Sequence, residues 1–387
     1  MPVRLGIVGG GQLAHFLCLA ARRLGAVSTV LSPDWDCPAA RSADRVLVGA
    51  LDDVGAATAL AGGCDVITFE LEAVHPEVLE YFGRCAAEGR VRVAPGADIM
   101  LLLQNKATQK DWLVRNGHPT SAFEHLPGGA PDPQALVARF GLPLVQKSAT
   151  GGYDGKGVQI IRDEAGLAKL WETPSIVEAF VPDATEVAVL VARGFDGVAA
   201  VYDPVLLDMS GAGNLLEAAV APAPLSEDVS RRARRLAVDL VSGLDGVGVF
   251  AVETFVTADG TVLVNEISPR VHNAGHHTIE ACETSQFEQH VRAVLGLPLG
   301  STRQRVPSAV MRNVLYEPGL AEVCEVDGFD RMDSRSATAI HWYGKREGRP
   351  FRKMGHVTAL GRDAESARCR ADAAVRALSR LGSEVFA

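Results

Sequence analysis

The feature that most constrains the fold of this chain is a glycine-rich loop between two short apolar segments. The loop reads KSATGGYDGKG from Lys147 to Gly157 and holds four glycines. Residues 143–147 before it and 157–161 after it have strand composition, so the pattern predicts a β-hairpin with a long loop. Glycines let backbone N–H groups approach phosphate oxygens, and Lys147 and Lys156 add positive charge. The loop therefore predicts a cover over phosphate groups.

A second informative segment is a strand hairpin that carries two glutamates. The predicted strands cover 248–255 and 262–266, with the Asp-Gly turn at 259–260 between them. Glu253 and Glu266 should therefore lie side by side. Each lies in an otherwise apolar strand, where an unpaired charge would be costly. Carboxylate oxygens are preferred Mg²⁺ ligands, so the pair predicts a magnesium site.

The residues after this hairpin predict an anion site beside the metal. Arg270, His272 and Asn273 follow Glu266 within VNEISPRVHNAGH at 264–276 and offer hydrogen-bond donors. A phosphate cover, a metal site and an anion site together indicate phosphoryl transfer from ATP to a small oxyanion.

The first hundred residues predict a doubly wound α/β domain. Residues 4–13 read as a strand that turns through glycines into a helix, and 27–31 and 65–70 read as further strands. The last of these ends in carboxylates, at the edge where such sheets bind ligands. Gly9-x-Gly11-x-x-Ala14 is only a relaxed dinucleotide fingerprint, which disfavours an NAD site.

Composition excludes several other classes of protein. A net charge of −9 without a basic stripe argues against nucleic-acid binding, and seven scattered cysteines predict neither zinc nor disulfides. No apolar run is long enough to span a bilayer, and residues 1–31 fit a strand, turn and helix better than an export signal. With 387 residues, two or three domains are expected in a cytoplasmic protein that binds no membrane.

In five segments the chain resembles the ATP-grasp superfamily, and within it the 5-(carboxyamino)imidazole ribonucleotide synthase family. The segments are GGYDGKG at 151–157, ARGFDG at 192–197, NEISPRVHNAGH at 265–276, SQFEQHVRAVLGLPL at 285–299 and YGKREGRPFRKMGH at 343–356. Their order and spacing carry the resemblance over nearly the whole chain. It implies an α/β fold with a doubly wound preATP-grasp domain at 1–97, a two-part ATP-grasp domain at 98–300 and a small β-rich C-terminal domain at 301–387. It also implies a homodimer.

The resemblance implies a role for each of several residue groups. Those expected on ATP are Lys106, Lys147, Gly152, Gly155, Lys156 and Asn265 around the phosphates, Glu178, Ala179, Phe180 and Val181 as the adenine hinge, and Glu186 at the ribose. Glu253 and Glu266 are the implied Mg²⁺ ligands. Arg270, His272, Asn273 and Lys345 are expected to hold bicarbonate and the carboxyphosphate made from it. Tyr153 and Asp154 are expected at the amine, with Gln12, Leu13, Glu70, Arg352 and Lys353 at the remaining substrate positions, the last two suiting a ribose phosphate.

The implied reaction is the carboxylation of the amine of 5-aminoimidazole ribonucleotide. Bicarbonate would attack the γ-phosphate of MgATP, and the amine would capture carboxyphosphate or CO₂ released from it. The implied catalytic residues are Asp154, Arg270, His272 and Lys345. Asp154 would orient the amine or accept its proton, with His272 as the competing candidate.

Several positions depart from the family pattern on the substrate side. The first glycine turn continues with Ala14, His15 and Phe16 where the family has Gly/Ala-Arg-Met, so an arginine is missing. Ala149 stands where an arginine is common, Ala73 replaces Asn/His, and Phe351 replaces a glycine. Because these changes cluster around the presumed amine site, an alternative is that the protein is a paralogue that carboxylates a different amine in specialised metabolism.

Other classes are less consistent with the residues present. A regulator without activity should have lost one of Lys147, Glu253, Glu266 or Arg270, and all four are there. A biotin-type carboxylase is disfavoured by the GGYDGKG and RKMGH segments. A peptide-forming ligase would need a pocket for the ammonium group of an amino acid. Glu70 and Glu72 could supply the carboxylates of such a pocket, so this alternative stays open.

Two pairs have structural explanations as well as functional ones. Arg193 and Asp196 match family positions, but a salt bridge within a turn explains them equally well. His276 and His277 lack partners at metal-ligand spacing, so structural hydrogen bonds are expected for both.

Overall fold

The computed structural model describes residues 1–152, 157–209, 215–317, 331–333, 337–345 and 347–384, with backbone alone at 331–333 and 381–384. Within these ranges no helix has the length and apolarity needed to cross a bilayer. The six cysteines they contain are free thiols, and five of them are buried.

The N-terminal part is a parallel five-stranded sheet in the order β3-β2-β1-β4-β5. The strands are β1 Arg4–Val8, β2 Val27–Ser32, β3 Arg45–Val48, β4 Val66–Phe69 and β5 Arg92–Val93, and the helices are α1 Gln12–Arg23, α2 Val54–Gly63, α3 Pro76–Ala87 and α4 Ala97–Leu103. β1 is central and buries four of its five residues, which explains its continuous apolar sequence. The doubly wound prediction is confirmed.

A four-stranded antiparallel sheet in the order β6-β9-β7-β8 follows. It is built from α5 Lys106–Arg115, β6 Phe123–Leu126, α6 Pro133–Phe140, β7 Leu144–Ser148, β8 Val158–Ile161, a 3₁₀ turn at Glu164–Lys169 and β9 Ser175–Ala179. β7 and β8 form the predicted hairpin, with Lys147 opposite Val158. β9 ends at Ala179, because its partner strands β6 and β7 begin opposite Glu178 and Ala179, so Phe180 and Val181 of the implied hinge lie beyond the sheet.

The rest of the chain forms a ten-stranded sheet in the order β15-β14-β10-β12-β13-β16-β19-β18-β17, with β11 beside β10. Its strands are β10 Thr185–Arg193, β11 Ala199–Val201, β12 Val205–Met209, β13 Leu216–Ala221, β14 Gly248–Val256, β15 Val262–Ser268, β16 Ser308–Leu315, β17 Arg331–Asp333, β18 Thr338–Trp342 and β19 Lys353–Gly361. The helices are α7 Glu227–Gly243, α8 Thr278–Ala281, α9 Gln286–Leu295 and α10 Ala364–Glu384, with a 3₁₀ turn at Asn273–Gly275.

The C-terminal strands are long and are connected to the rest of the large sheet. β16 has eight residues and β19 has nine. β16 also pairs along β13, so the predicted C-terminal domain continues the same sheet. Local alternation identifies strands but not their partners, and the pairing became visible only in the folded chain.

One apolar core joins the N-terminal sheet to the large sheet. Phe16 and Leu17 of α1 pack with Phe287 and Val291 of α9 and with Tyr343 beyond β18. The N-terminal sheet is therefore held against the large sheet, and the loops that follow β1 and β4 face the loop that follows β15.

Candidate active site

Three charged side chains from α5, β7 and β9 form a buried network between the two antiparallel sheets. The carboxylate of Glu178 lies 2.6 Å from Lys110 Nζ and 2.7 Å from Lys147 Nζ. Burial alone would raise the pKa of Glu178, but the two lysines hold it at about 2. Burial lowers the pKa of Lys110 to about 8. Lys147 also donates to Asn265 Oδ1 at 2.6 Å, so it is fixed where β7 meets β15.

The two hairpin glutamates lie side by side, as predicted. Glu253 and Glu266 are direct cross-strand partners, and a β-bulge follows Glu253. Lys106, at the start of α5, forms an ion pair with Glu266. Burial, Glu266 and Glu186 raise the pKa of Glu253, whereas Lys106 lowers the pKa of Glu266. The negative form of Glu253 is therefore disfavoured here, and a divalent cation would offset it.

The carboxylate pair fits Mg²⁺ bound together with a nucleotide. Mg²⁺ usually keeps several waters and takes one or two protein carboxylates plus substrate phosphates. Among the residues that the structure describes, no group of three or more His, Cys, Asp or Glu side chains is arranged to hold a metal alone. Glu253 and Glu266 would thus share the ion with phosphate oxygens.

The loop after β15 is held in place by Gln286. Its side-chain oxygen accepts the backbone N–H of His272 at 2.9 Å, and its amide nitrogen donates to the His272 carbonyl at 2.7 Å. Gly275 permits this contact, because a Cβ there would lie 2.4 Å from the Gln286 oxygen. Both amide atoms of Asn273 are buried, with no hydrogen-bond partner in the described part of the chain. Buried amides are normally satisfied, so Asn273 fits a ligand contact.

His272 is oriented as a neutral donor. Its Nδ1 accepts the backbone N–H of Ala274 at 3.3 Å, and its Nε2 lies 3.3 Å from Glu253 Oε1. Burial, with the charges of Arg270 and Lys353, lowers its pKa to about 4. An Nδ1 that accepts leaves the proton on Nε2, which then donates to Glu253. This tautomer disfavours His272 as an acceptor for the substrate's proton.

Glu70 occupies the N-terminus of α1 and explains the first glycine turn. Its carboxylate accepts the backbone N–H of Gly11 at 2.5 Å and of Ala14 at 2.9 Å. A Cβ on Gly9 would lie 2.5 Å from Glu70 Cγ, and one on Gly11 would lie 2.7 Å from its Oε1. The glycines therefore make room for a carboxylate of the same chain, at the position where a dinucleotide-binding fold holds the pyrophosphate. The weak match to the dinucleotide fingerprint points the same way.

Beside this turn lies a pocket of about 340 Å³. Its lining includes four of the predicted substrate-side and oxyanion residues, namely Gln12, Lys345, Arg352 and Lys353. Lys345 Nζ donates to the Lys353 carbonyl at 2.8 Å. The side chain of Leu13 lies in the core, so its predicted contact with the substrate would be made by its backbone.

Not all predicted residues can be located. Tyr153, Asp154, Gly155 and Lys156 lie outside the described residues, so their predicted roles stay predictions. Gly152 is exposed at the near end of that segment. Phe180 and Val181 follow the end of β9, and the Ala179 N–H is already bonded to the Ala122 carbonyl at 2.9 Å.

Comparison with known proteins accounts for the three parts of the chain. A ribonucleotide synthetase preATP-grasp domain model matches residues 2–104, an ATP-grasp domain model matches 112–287, and a phosphoribosylaminoimidazole carboxylase C-terminal domain model matches 309–370. The N5-carboxyaminoimidazole ribonucleotide synthase of Synechococcus elongatus is 37% identical over 92% of this chain and 89% of its own. This chain belongs to that synthase family. The synthase of Mycobacterium bovis is 39% identical over 97% of this chain and 87% of its own.

Solved structures of N5-carboxyaminoimidazole ribonucleotide synthases share the whole fold. An ADP complex of one is 35% identical, covers 96% of both chains and has a TM-score of 0.87. The Aspergillus clavatus synthase, in complex with ADP and 5-aminoimidazole ribonucleotide, is 29% identical, covers 98% of this chain and 99% of its own, and has a TM-score of 0.85. The chain is accordingly a ligase of the ATP-grasp superfamily.

The departures from the synthase family pattern fall in different environments. His15 and Phe16 point into the core, where His15 Nδ1 lies 2.9 Å from Ser42 Oγ and Phe16 packs on Phe287. Ala149 is buried, and its carbonyl accepts the Lys106 N–H at 2.8 Å. Phe351 instead lines the substrate-side pocket. Among these four, only Phe351 is in a position to change what that pocket accepts.

Some residues of the synthase fold were missed or misjudged from sequence. Lys110 was not singled out, although it lies one helical turn after Lys106 on the same face of α5, a spacing that gives a usable signal. Arg193 forms its ion pair with Asp245 at 2.5 Å, so a turn salt bridge to Asp196 was the wrong explanation. His277 makes the expected hydrogen bond, to the Ala274 carbonyl at 2.9 Å. His276 instead stacks on His356, with centroids 4.5 Å apart.

Proposed function

We propose that this protein uses ATP and bicarbonate to carboxylate the amine of 5-aminoimidazole ribonucleotide, giving N5-carboxyaminoimidazole ribonucleotide, ADP and phosphate. The observation that carries the proposal is that the loop after β15 reaches both compartments. His272 Nε2 lies 3.3 Å from Glu253 of the proposed metal pair, and Arg270 Nε donates at 2.8 Å to Glu72, the residue after Leu71 of the substrate-side pocket lining. Such proximity is required for an intermediate made in one compartment to react in the other.

In the first step an oxygen of bicarbonate attacks the γ-phosphorus of ATP, the bond to the bridging oxygen breaks, and ADP leaves. Lys147 and Lys106 would offset charge on the phosphate oxygens, as positioning and electrostatics supply most catalysis in phosphoryl transfer. Mg²⁺ held by Glu253 and Glu266 would add further charge compensation when bound. Arg270 and the unpartnered amide of Asn273 would orient the bicarbonate.

In the second step the amine nitrogen attacks the carboxyl carbon of carboxyphosphate. The carbon–oxygen bond to phosphate breaks, phosphate leaves, and the amine loses a proton. His272 is a poor acceptor as a neutral donor to Glu253, which supports Asp154 for that role. Lys345 would hold the carboxylate as it forms. Carboxyphosphate is labile in water, so the 147–157 loop is expected to close before it is made.

The decisive experiment is phosphate release from MgATP with and without bicarbonate and 5-aminoimidazole ribonucleotide. Release that requires both would support the proposal. Phosphate release that depends on bicarbonate but not on the nucleotide would support the proposed chemistry and assign it to another amine. Lack of any ATP turnover would count against the enzymatic proposal.

A matched pair of lysine variants tests the assignment of the ATP cleft. Lys147→Met removes a buried partner of Glu178 and should raise the KM for ATP by at least about tenfold. Lys169→Met changes an exposed lysine in the 3₁₀ turn and should leave KM unchanged. Equal effects in both variants would contradict the role of Lys147.

The cytoplasmic location and the homodimer stay predictions.

A second substrate is favoured by one observation. The pocket lining includes Phe351, where the family pattern has glycine. A different phosphorylated amine is therefore the alternative, and a panel of such amines in the same assay would identify it.

A further inference from the structure

Phe351 occupies a backbone position that ordinarily requires glycine. The Arg352 N–H donates to the Arg349 carbonyl at 3.0 Å, which closes a four-residue turn with Pro350 in its second position. Phe351 holds the third position with φ of 66°. Proline followed by a residue with positive φ is the arrangement of a type II turn, whose third position favours glycine. A bulky residue there is a genuine outlier.

The strained turn directs an aromatic ring to a ligand pocket. Phe351 is 62% exposed, whereas most large apolar side chains of a folded protein are covered. It lines the same pocket as the substrate-side cations. An exposed aromatic ring held by an unfavourable backbone conformation indicates a functional constraint, because burial against the core does not compensate it.

The rest of the pocket divides into a charged part and an apolar part. Lys345, Arg349, Arg352 and Lys353 supply positive charge. Leu51, Leu71, Pro33 and Pro38 supply apolar surface. Asp34 is the acidic side chain of the lining that the structure describes. A phosphorylated molecule with a planar, uncharged ring matches this division, since the cations suit the phosphate and the apolar side suits the ring.

We infer that Phe351 determines substrate specificity in this protein by stacking on the planar heterocycle of the substrate, while the neighbouring cations hold its phosphate. This inference rests on the proposed function and adds a contact that the proposed chemistry does not require. Stacking of a base on an aromatic side chain is strong enough to alter affinity by about tenfold, so it favours phosphorylated ligands that carry a planar ring over those that do not. Phe351 is then a specificity residue and takes no part in proton or phosphoryl transfer.

The test compares Phe351→Gly with Ala337→Gly. Ala337 also has a positive φ, of 52°, and is not part of the pocket lining, so its variant relieves comparable backbone strain away from the site. Both variants should keep or raise Tm. Phe351→Gly should also weaken binding of 5-aminoimidazole ribonucleotide by about tenfold, measured by titration calorimetry with ADP present. Ala337→Gly should bind as the unaltered protein does.

Two further arms identify the stacking contact. Ribose 5-phosphate has the phosphate but no heterocycle, so its affinity should be the same in Phe351→Gly and in the unaltered protein. Phe351→Tyr keeps an aromatic face and should bind the nucleotide as the unaltered protein does. Phe351→Leu has no aromatic face and should bind it as weakly as Phe351→Gly. In steady-state assays KM should change and kcat should stay within about threefold.

The outcomes separate this inference from the proposed function. Unchanged or tighter nucleotide binding in Phe351→Gly would overturn the inference alone, as would an equal loss of affinity for ribose 5-phosphate. Failure of the unaltered protein to bind the nucleotide would overturn both.

Discussion

Nε of Arg270 donates to Oε2 of Glu72 at 2.8 Å, across 198 residues of chain. Glu72 follows β4 of the N-terminal sheet, and Arg270 follows β15 of the large sheet. The arginine expected to hold bicarbonate is thus oriented by a carboxylate from another part of the molecule. The ammonium-pocket alternative becomes less attractive, because Glu72 pairs with Arg270 and Glu70 with the N-terminus of α1.

Glu72→Gln should loosen the orientation of Arg270. Loss of the ion pair leaves a neutral acceptor in its place, so we expect kcat/KM for bicarbonate to fall by about tenfold with little change in KM for ATP. Steady-state assays at varied bicarbonate measure this. Glu80→Gln, on the exposed face of α3, is the control and should behave as the unaltered protein does. An equal change in the KM for ATP would refute the orienting role.

Lys110→Met should destabilise the fold. It leaves Glu178 buried with Lys147 as its remaining lysine partner, and removal of one member of a buried ion pair costs about 3 kcal/mol. Urea unfolding should therefore show a lower midpoint. Lys169→Met provides a lysine-to-methionine control at an exposed site. A midpoint for Lys110→Met equal to that of the control would show that the network contributes little.

Gly11→Ala should displace Glu70. The φ of Gly11 is −77°, so the added methyl group introduces no backbone strain, but it would lie 2.7 Å from Glu70 Oε1. We expect a loss of about 2 kcal/mol in the free energy of unfolding and weaker binding of the nucleotide substrate. Gly62→Ala, in α2 with no atom within 4 Å of the new Cβ, is the matched control and should be neutral or slightly stabilising. Two variants of equal stability would contradict the steric argument.

The protein should lose stability as the pH drops below the pKa of a histidine in the unfolded chain. Burial lowers the pKa of His290 to about 4 from an ordinary value of 6.5, and its Nδ1 accepts the Val249 N–H at 3.0 Å. Between these values the unfolded chain binds the extra proton, so the stability that neutral His290 contributes is full above about 6.5 and is lost as pH falls towards 4. From about pH 7.5 to about pH 5, this residue alone should cost about 2 kcal/mol.

His290→Gln isolates that contribution to the pH dependence. Glutamine does not titrate, so urea unfolding of the variant should lose about 2 kcal/mol less than the unaltered protein over the same pH interval. His75→Gln, at an exposed histidine before α3, is the control. Parallel pH profiles for His290→Gln and the unaltered protein would argue against a neutral, structurally required His290.

The sequence alone determined the elements whose signal is local. Apolar alternation and turn residues identified β1, the β7–β8 hairpin and the β14–β15 hairpin, and the hairpin register brought Glu253 opposite Glu266. Motif resemblance supplied the family. These inferences succeed because a strand, a turn and a short hairpin depend on residues that are neighbours in the chain.

Tertiary structure alone decided the contacts between distant residues. Glu70 meets Gly11 across 59 positions, Arg270 meets Glu72 across 198, and β16 continues the sheet that the sequence assigned to another domain. It also decided that His15 packs in the core while Phe351 lines the pocket. Such relationships arise from how sheets pack and which loops converge, and no local pattern of residue types encodes them.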